Sequence, residues 1–112
     1  MVDIDRLGRE IVERLKPLDP EQIILFGSYA RGDAGEESDL DLYVVTHDDF
    51  TPANWRENGN IYLQYARPLR ELQKNVAIDL ITHTRPMNRK FREMGSSFSR
   101  EVLEEGKVLY VR

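Results

Sequence analysis

Residues 23–45 read IILFGSYARGDAGEESDLDLYVV, and the rest of the chain is organised around this stretch. Two mainly apolar runs, at 23–26 and 40–45, are bounded by glycine and aspartate and have the length of buried strands rather than helices. Asp39 and Asp41 flank Leu40 in the second run, and they share one face of a strand because successive side chains alternate. The stretch therefore predicts two strands joined by a polar loop, with two carboxylates side by side.

Paired carboxylates on one strand face are unfavourable unless something compensates for their charge. Like charges at this spacing repel, and one of the two groups tends to take up a proton. A divalent cation removes the repulsion, and Mg²⁺ is typically held by one or two carboxylates together with substrate phosphates. The Asp-Leu-Asp-Leu pattern alone also fits a half-buried strand with both aspartates in water.

The Gly-Ser pair after the first run is a candidate phosphate cradle. Ser28 is predicted to be the N-cap of a short helix that runs to Arg31, and Gly32 to end it in a left-handed conformation. The free N–H groups at a helix start attract phosphate, and Gly27 has no Cβ to keep a phosphate away. Arg31 has two open roles, contact with a phosphate or a salt bridge to a carboxylate. Next to the paired aspartates, the cradle indicates a metal–triphosphate site.

Gly27-Ser28, ten further residues and then Asp39-Leu40-Asp41 resemble the signature of the nucleotidyltransferase superfamily that includes DNA polymerase β. The fuller string GSYARG followed by SDLDL is similar to the minimal nucleotidyltransferases, the small stand-alone branch of that superfamily. The resemblance implies that Asp39 and Asp41 are catalytic metal ligands. It also implies that Gly27, Ser28 and Arg31 bind the nucleotide.

A third carboxylate is predicted on a later strand. Residues 76–81 read VAIDLI, and a lone aspartate in an apolar strand needs a partner or water. In the family resembled, a later strand supplies a third carboxylate that completes the metal site, and Asp79 is the candidate for this metal-binding and catalytic role. Asp79 can face Asp41 only if the two strands pair in the right register, since a slip of one residue reverses the face.

The remaining segments predict helices and a final strand. Apolar residues at helical spacing indicate helices over 3–16 and in the last third, where Gly95 divides two helices. Between the second and third strands, the sequence predicts a short helical turn over 51–58, with Thr51 as its N-cap and Pro52 as its first helical residue. A helix over 60–74 follows, in which Pro68 can introduce a kink. The fold class is therefore α/β, a single nucleotidyltransferase domain over 1–112 with a polymerase β-like fold, a small mixed sheet and helices mainly on one face.

Three aromatic residues lie in the central helical region, and the sequence leaves their role open. They pack in the core or at its rim, stack on a base, or contact a partner, and packing is the preferred interpretation because aromatic side chains dominate burial. These residues are Trp55, Tyr62 and Tyr65.

Composition limits the classes of function. The formal net charge is −4, and without a concentrated basic stripe the chain is not expected to bind a long nucleic acid. The chain has no cysteine, which excludes disulfides and thiolate metal sites, and no apolar run approaches the length of a membrane span. A cytoplasmic protein without membrane contact is expected.

The resemblance implies Mg²⁺-dependent transfer of AMP, or another nucleoside monophosphate, from ATP to an acceptor hydroxyl. Two Mg²⁺ ions and release of pyrophosphate belong to that chemistry. Minimal nucleotidyltransferases commonly pair with a HEPN-domain toxin and act as antitoxins that attach AMP to one of its tyrosines. Two alternatives stay open. One is a small-molecule nucleotidyltransferase of the aminoglycoside type, with a partner or a homo-oligomer completing the pocket. The other is a non-catalytic antitoxin that binds a nucleotide and masks its partner.

Overall fold

Four strands form one mixed sheet in the computed structural model, which describes residues 3–35 and 37–112. The strands are β1 (Gln22–Phe26), β2 (Leu40–Val45), β3 (Ile78–His83) and β4 (Lys107–Val111), in the spatial order β3-β2-β1-β4. Strand β1 is antiparallel to both β2 and β4, whereas β3 runs parallel to β2. The mixed sheet predicted from the sequence is confirmed.

In the described part of the chain, five α-helices precede, connect or follow the strands. They are α1 (Ile4–Leu15), α2 (Ser28–Arg31), α3 (Trp55–Ala66), α4 (Arg85–Met94) and α5 (Ser97–Glu105). Short 3-10 turns follow α1 at Lys16–Leu18 and α3 at Arg67–Leu69 and Leu72–Lys74. Within the described residues, no helix combines the length and the apolar character that crossing a membrane requires.

Several helix ends follow from local sequence chemistry. Asp3 caps α1, and its carboxylate accepts a hydrogen bond from the Arg6 N–H at 3.2 Å. Gly95 ends α4 with a positive φ of 58°, and Ser96 caps α5 by accepting from the Ser99 N–H at 3.0 Å. The predicted division of the last third into two helices is confirmed.

Helix α3 differs from its prediction in both its start and its end. Asn54 is its N-cap, with a side chain that accepts from the backbone N–H three residues on at 2.9 Å, and no helix begins at 51–52. The helix continues through Gly59 because one glycine costs only about 1 kcal/mol, which burial of the apolar face offsets. Pro68 then turns the chain into 3-10 geometry, so no single helix spans 60–74.

The sheet is covered on both faces, which corrects the expectation of helices mainly on one face. Helices α1 and α3 pack on the larger apolar cluster, and α4 and α5 cover a second cluster on the opposite face. The physical reason is β2, whose residues from Leu42 to Val45 are buried on both faces. The half-solvated interpretation of this strand is therefore wrong. The second cluster consists of Ile24, Phe26, Tyr43, Val45, Phe91 and Val102.

A buried polar network fixes α4 against the sheet. The Tyr43 hydroxyl donates to Asn88 Oδ1 at 2.9 Å and lies 2.9 Å from His83 Nδ1. His83 is the last residue of β3. Burial lowers the pKa of His83 and raises that of Tyr43. The network helps to hold α4 against the C-terminal halves of β2 and β3.

Candidate active site

Two of the three predicted carboxylates face each other across neighbouring strands. In the parallel pair of β2 and β3, Asp41 is aligned with Asp79, so their side chains lie on the same face of the sheet. Asp41 is partly buried, and Asp79 is exposed. The structure thus has the register on which the placement of Asp79 depends. Asp39 immediately precedes β2 and is exposed, so it lies at the entrance of the strand rather than within it.

Negative charge is concentrated around Asp41. Burial raises the pKa of Asp41 most, the neighbouring carboxylates Asp79, Asp39 and Glu101 raise it further, and Arg31 lowers it in part. A carboxyl in such surroundings is stabilised by a cation, and its oxygen ligands suit Mg²⁺.

The described residues do not form a ready-made metal cage. Outside residues 1, 2 and 36, which are not described, no group of three or more histidine, aspartate or glutamate side chains is arranged to hold a metal ion. The arrangement fits a Mg²⁺ ion held by one or two carboxylates and completed by substrate phosphates. It does not show the preformed convergence of three carboxylates that the sequence predicts.

Gly27 is required by the backbone and by Asp41. Its φ of 78° and ψ of −154° are rarely adopted by residues with a side chain. A Cβ built on Gly27 would overlap the Asp41 carboxylate. The sequence argument for this glycine was close approach of a phosphate, and the structure adds that the glycine makes room for the aspartate itself.

The turn after β1 has the predicted shape with its cap shifted by one residue. Gly27 is the N-cap of α2, and its carbonyl accepts from the Arg31 N–H at 3.1 Å. Ser28 is the first helical residue and does not cap the helix, because an N-cap needs a non-helical backbone and Ser28 is already helical. Gly32 ends α2 with a φ of 81°, as predicted. The N–H groups of the first turn lack intrahelical partners and can donate to a ligand.

Arg31 forms salt bridges to two carboxylates. Its Nε lies 3.4 Å from Asp33 Oδ2, and its Nη1 lies 3.3 Å from Glu101 Oε1 on α5. Of the two roles open in the sequence, the structure displays the salt bridge. Glu101 was missed by sequence reasoning, since it lies 70 residues from Arg31 and no motif spacing marks it.

The aromatic residues of α3 lie on the other side of the sheet from the carboxylates. Tyr65 is buried in the α1–α3 cluster, which confirms its predicted packing role. Trp55 is 81% exposed, so the expectation that it packs in the core or at its rim is wrong, and Tyr62 is partly exposed. Asp41 faces the α4–α5 side with Tyr43, as alternation along β2 requires. This placement favours partner contact over base stacking for Trp55.

Comparison with known proteins agrees with this fold and shows the family. The family model described as "Nucleotidyltransferase domain" matches residues 6–109, nearly the whole chain. The chain belongs to this family and is a nucleotidyltransferase. A protein of Methanocaldococcus jannaschii, provisionally named a protein adenylyltransferase, is 40% identical over 90 residues, which cover 80% of this chain and 78% of the relative.

Solved structures share the fold at low sequence identity. A toxin–antitoxin crystallised with AMP-PNP has a TM-score of 0.58 and 22% identity, covering 94% of this chain and 73% of its own. A Sulfolobus solfataricus protein, provisionally called a nucleotidyltransferase, has a TM-score of 0.60 and 18% identity, covering 96% and 83%. The polymerase β-like α/β fold class inferred from the sequence is confirmed.

Proposed function

We propose that the protein transfers AMP from ATP to an acceptor hydroxyl on a partner protein. A bond forms between the acceptor oxygen and the α-phosphorus, the bond from that phosphorus to the bridging oxygen of the β-phosphate breaks, and pyrophosphate leaves. The observation that carries the proposal is the alignment of Asp41 with Asp79 beside the Gly27 turn. The carboxylates and the glycine turn meet there at one end of the sheet.

The residues around Gly27 would bind the triphosphate. Backbone N–H groups at Gly27 and Ser28 are free to donate to β- and γ-phosphate oxygens. Arg31 would add a charged donor beside them. Asp39 and Asp41 would hold two Mg²⁺ ions, which when bound neutralise the phosphates and stabilise an in-line displacement.

Asp79 would accept the acceptor's proton. It is exposed and next to Asp41, so an incoming hydroxyl can reach it from solvent. A positioned carboxylate of this kind contributes to transfer by general base catalysis. The same group would lie close enough to complete the ligand set of a bound ion.

The acceptor surface is expected to come from a partner, because two of the three carboxylates are exposed to solvent. These are Asp39 and Asp79. The adenylyltransferase name of the archaeal relative and the toxin–antitoxin identity of the structural neighbour support a protein acceptor. We propose that this partner is a HEPN-domain toxin, that the acceptor is one of its tyrosines, and that the present chain is a cytoplasmic antitoxin.

The test is incubation with the partner encoded beside it, Mg²⁺, and ATP labelled on the α-phosphate. Label is expected on a tyrosine of the partner, and it should disappear without Mg²⁺ or when Asp39 and Asp41 are both replaced with asparagine. Asp49→Asn, on an exposed aspartate at the opposite end of β2, is the matched control and should retain activity. A parallel reaction uses ATP labelled on the γ-phosphate, and label on the partner in that reaction would contradict the proposal. Partner neutralisation with no covalent label would instead identify a masking antitoxin.

A further inference from the structure

One ion pair joins the last helix of the chain to the turn that follows β1. Glu101 on α5 lies 3.3 Å from Nη1 of Arg31 on α2, and the side chains are 36% and 45% exposed. Both charges lie close enough to Asp41 to act on its carboxyl. An ion pair this exposed contributes little to folding stability, so an effect on ligand binding is the more informative consequence to examine.

Among the described residues, two of the three guanidinium nitrogens of Arg31 pair with carboxylates. Asp33 takes Nε at 3.4 Å and Glu101 takes Nη1 at 3.3 Å, whereas Nη2 has no side-chain partner among the described residues. A guanidinium is a rigid planar fork of five N–H donors, so two carboxylates on different nitrogens define its plane. The remaining nitrogen, Nη2, can then donate to a phosphate oxygen. The Arg31 side chain is already held in place, so it loses little further rotamer freedom when the phosphate binds.

We propose that Glu101 is a positioning residue that holds Arg31 so that Nη2 donates to the triphosphate of ATP. The proposal rests on the proposed function, in which Arg31 contacts the nucleotide. Its distinct content is that α5, which carries no part of the Gly-Ser or Asp-x-Asp motif, sets the affinity of the site for nucleotide. Glu101 acts through Arg31 and does not touch the reacting atoms.

A double-mutant cycle tests the coupling. ATP affinity with Mg²⁺ is measured by calorimetry, and KM and kcat by transfer assay, for Glu101→Gln, Arg31→Ala and the double variant. Glu101→Gln is expected to raise the dissociation constant and KM for ATP about fivefold, the worth of one hydrogen bond, with kcat and Tm unchanged. The same change made in the Arg31→Ala background should have no further effect. Glu104→Gln, at an exposed position on the same helix, is the control and should match the wild type.

These measurements distinguish a positioning role of Glu101 from a structural role and from no role. Wild-type affinity in Glu101→Gln, tighter binding, or additive effects in the double variant would overturn the positioning role while leaving the proposed function intact. A wild-type protein that binds no ATP with Mg²⁺ would overturn the proposed function, and the positioning role with it. A loss of Tm together with affinity would show a structural role and would also overturn the proposal.

Discussion

Replacing Asp41 with asparagine is expected to stabilise the nucleotide-free protein while abolishing nucleotidyl transfer. Asp41 lies beside Asp79 on the adjacent strand, and its pKa is raised by burial and by the surrounding carboxylates. Asparagine has nearly the same shape, so it fits the space that Gly27 leaves and removes only the charge. The charge that the proposed mechanism requires at Asp41 is therefore unfavourable to folding when no cation is bound.

The size of this stabilisation follows from the strand spacing. Neighbouring strands lie about 4.8 Å apart, which puts the carboxylates of Asp41 and Asp79 roughly 5 Å apart. Two unit charges at that distance repel by about 0.8 kcal/mol in water and about 3 kcal/mol at an effective dielectric constant of 20. Asp79 is exposed, and solvent screening favours the lower end, about 1 kcal/mol. For a domain of this size, that corresponds to an increase in Tm of about 4 °C.

The pH dependence has a definite sign. A raised pKa means that folding favours protonated Asp41, so this stabilising contribution is present at low pH and is lost as the pH rises through the folded pKa. The advantage of Asp41→Asn should therefore be full near neutral pH and should shrink as the pH falls towards the usual aspartate value of about 3.9. Asp49→Asn removes a carboxylate that pairs with Arg85 at 2.9 Å, and it should not raise Tm.

Thermal melts followed by circular dichroism, with chelator and then with Mg²⁺ and ATP, measure this effect. The variant should melt higher than the wild type in chelator, and ligand should stabilise the wild type more than the variant. An unchanged or lower Tm for Asp41→Asn in chelator would refute the reasoning about charge repulsion. Equal stabilisation of both proteins by ligand would refute the assignment of Asp41 as a metal-binding group.

Three further predictions concern single side chains. Ser28→Ala should weaken ATP binding by about 0.5–1.5 kcal/mol in calorimetry, since it removes one donor of several; no change would show that the serine side chain does not contact the nucleotide. Trp55→Ala should lower affinity for the partner in a pull-down titration with Tm unchanged, and a loss of ATP affinity would instead indicate base stacking. Tyr65→Ala should lower the free energy of unfolding by about 3–5 kcal/mol, because Tyr65 is buried. Burial lowers the pKa of His83, so the wild-type Tm should fall as the pH drops below about 6.5. His83→Gln should be less stable than the wild type at neutral pH, but its Tm should fall less on acidification. Parallel profiles of Tm against pH for the two proteins would contradict this.

The sequence was sufficient where local chemistry decides the structure. Asp3 caps α1, Gly32 and Gly95 end helices in left-handed conformations, and the aspartate in an apolar strand marks β3. Each of these features depends on a residue and its near neighbours. The alignment of Asp79 with Asp41 could be stated as a condition because strand periodicity allows only two faces.

The sequence was insufficient where distant segments meet. Nothing in the spacing of α5 indicates that Glu101 reaches Arg31, because that contact joins segments 70 residues apart. The close approach of Asp41 to Gly27 likewise depends on the antiparallel pairing of β1 and β2. The exposure of Trp55 differs from the packing that its apolar character predicts, because exposed apolar residues are common at protein surfaces.

The central claim is that Asp79 is the catalytic base of AMP transfer, and Asp79→Asn tests it most directly. ATP affinity with Mg²⁺ and the rate of AMP transfer to the partner are measured on the same protein preparation. The variant should bind ATP nearly as the wild type does and transfer AMP about 10²-fold more slowly or worse, the lower range for losing a general base. An Asp79→Asn protein that transfers AMP at the wild-type rate would contradict the role of Asp79 as the base.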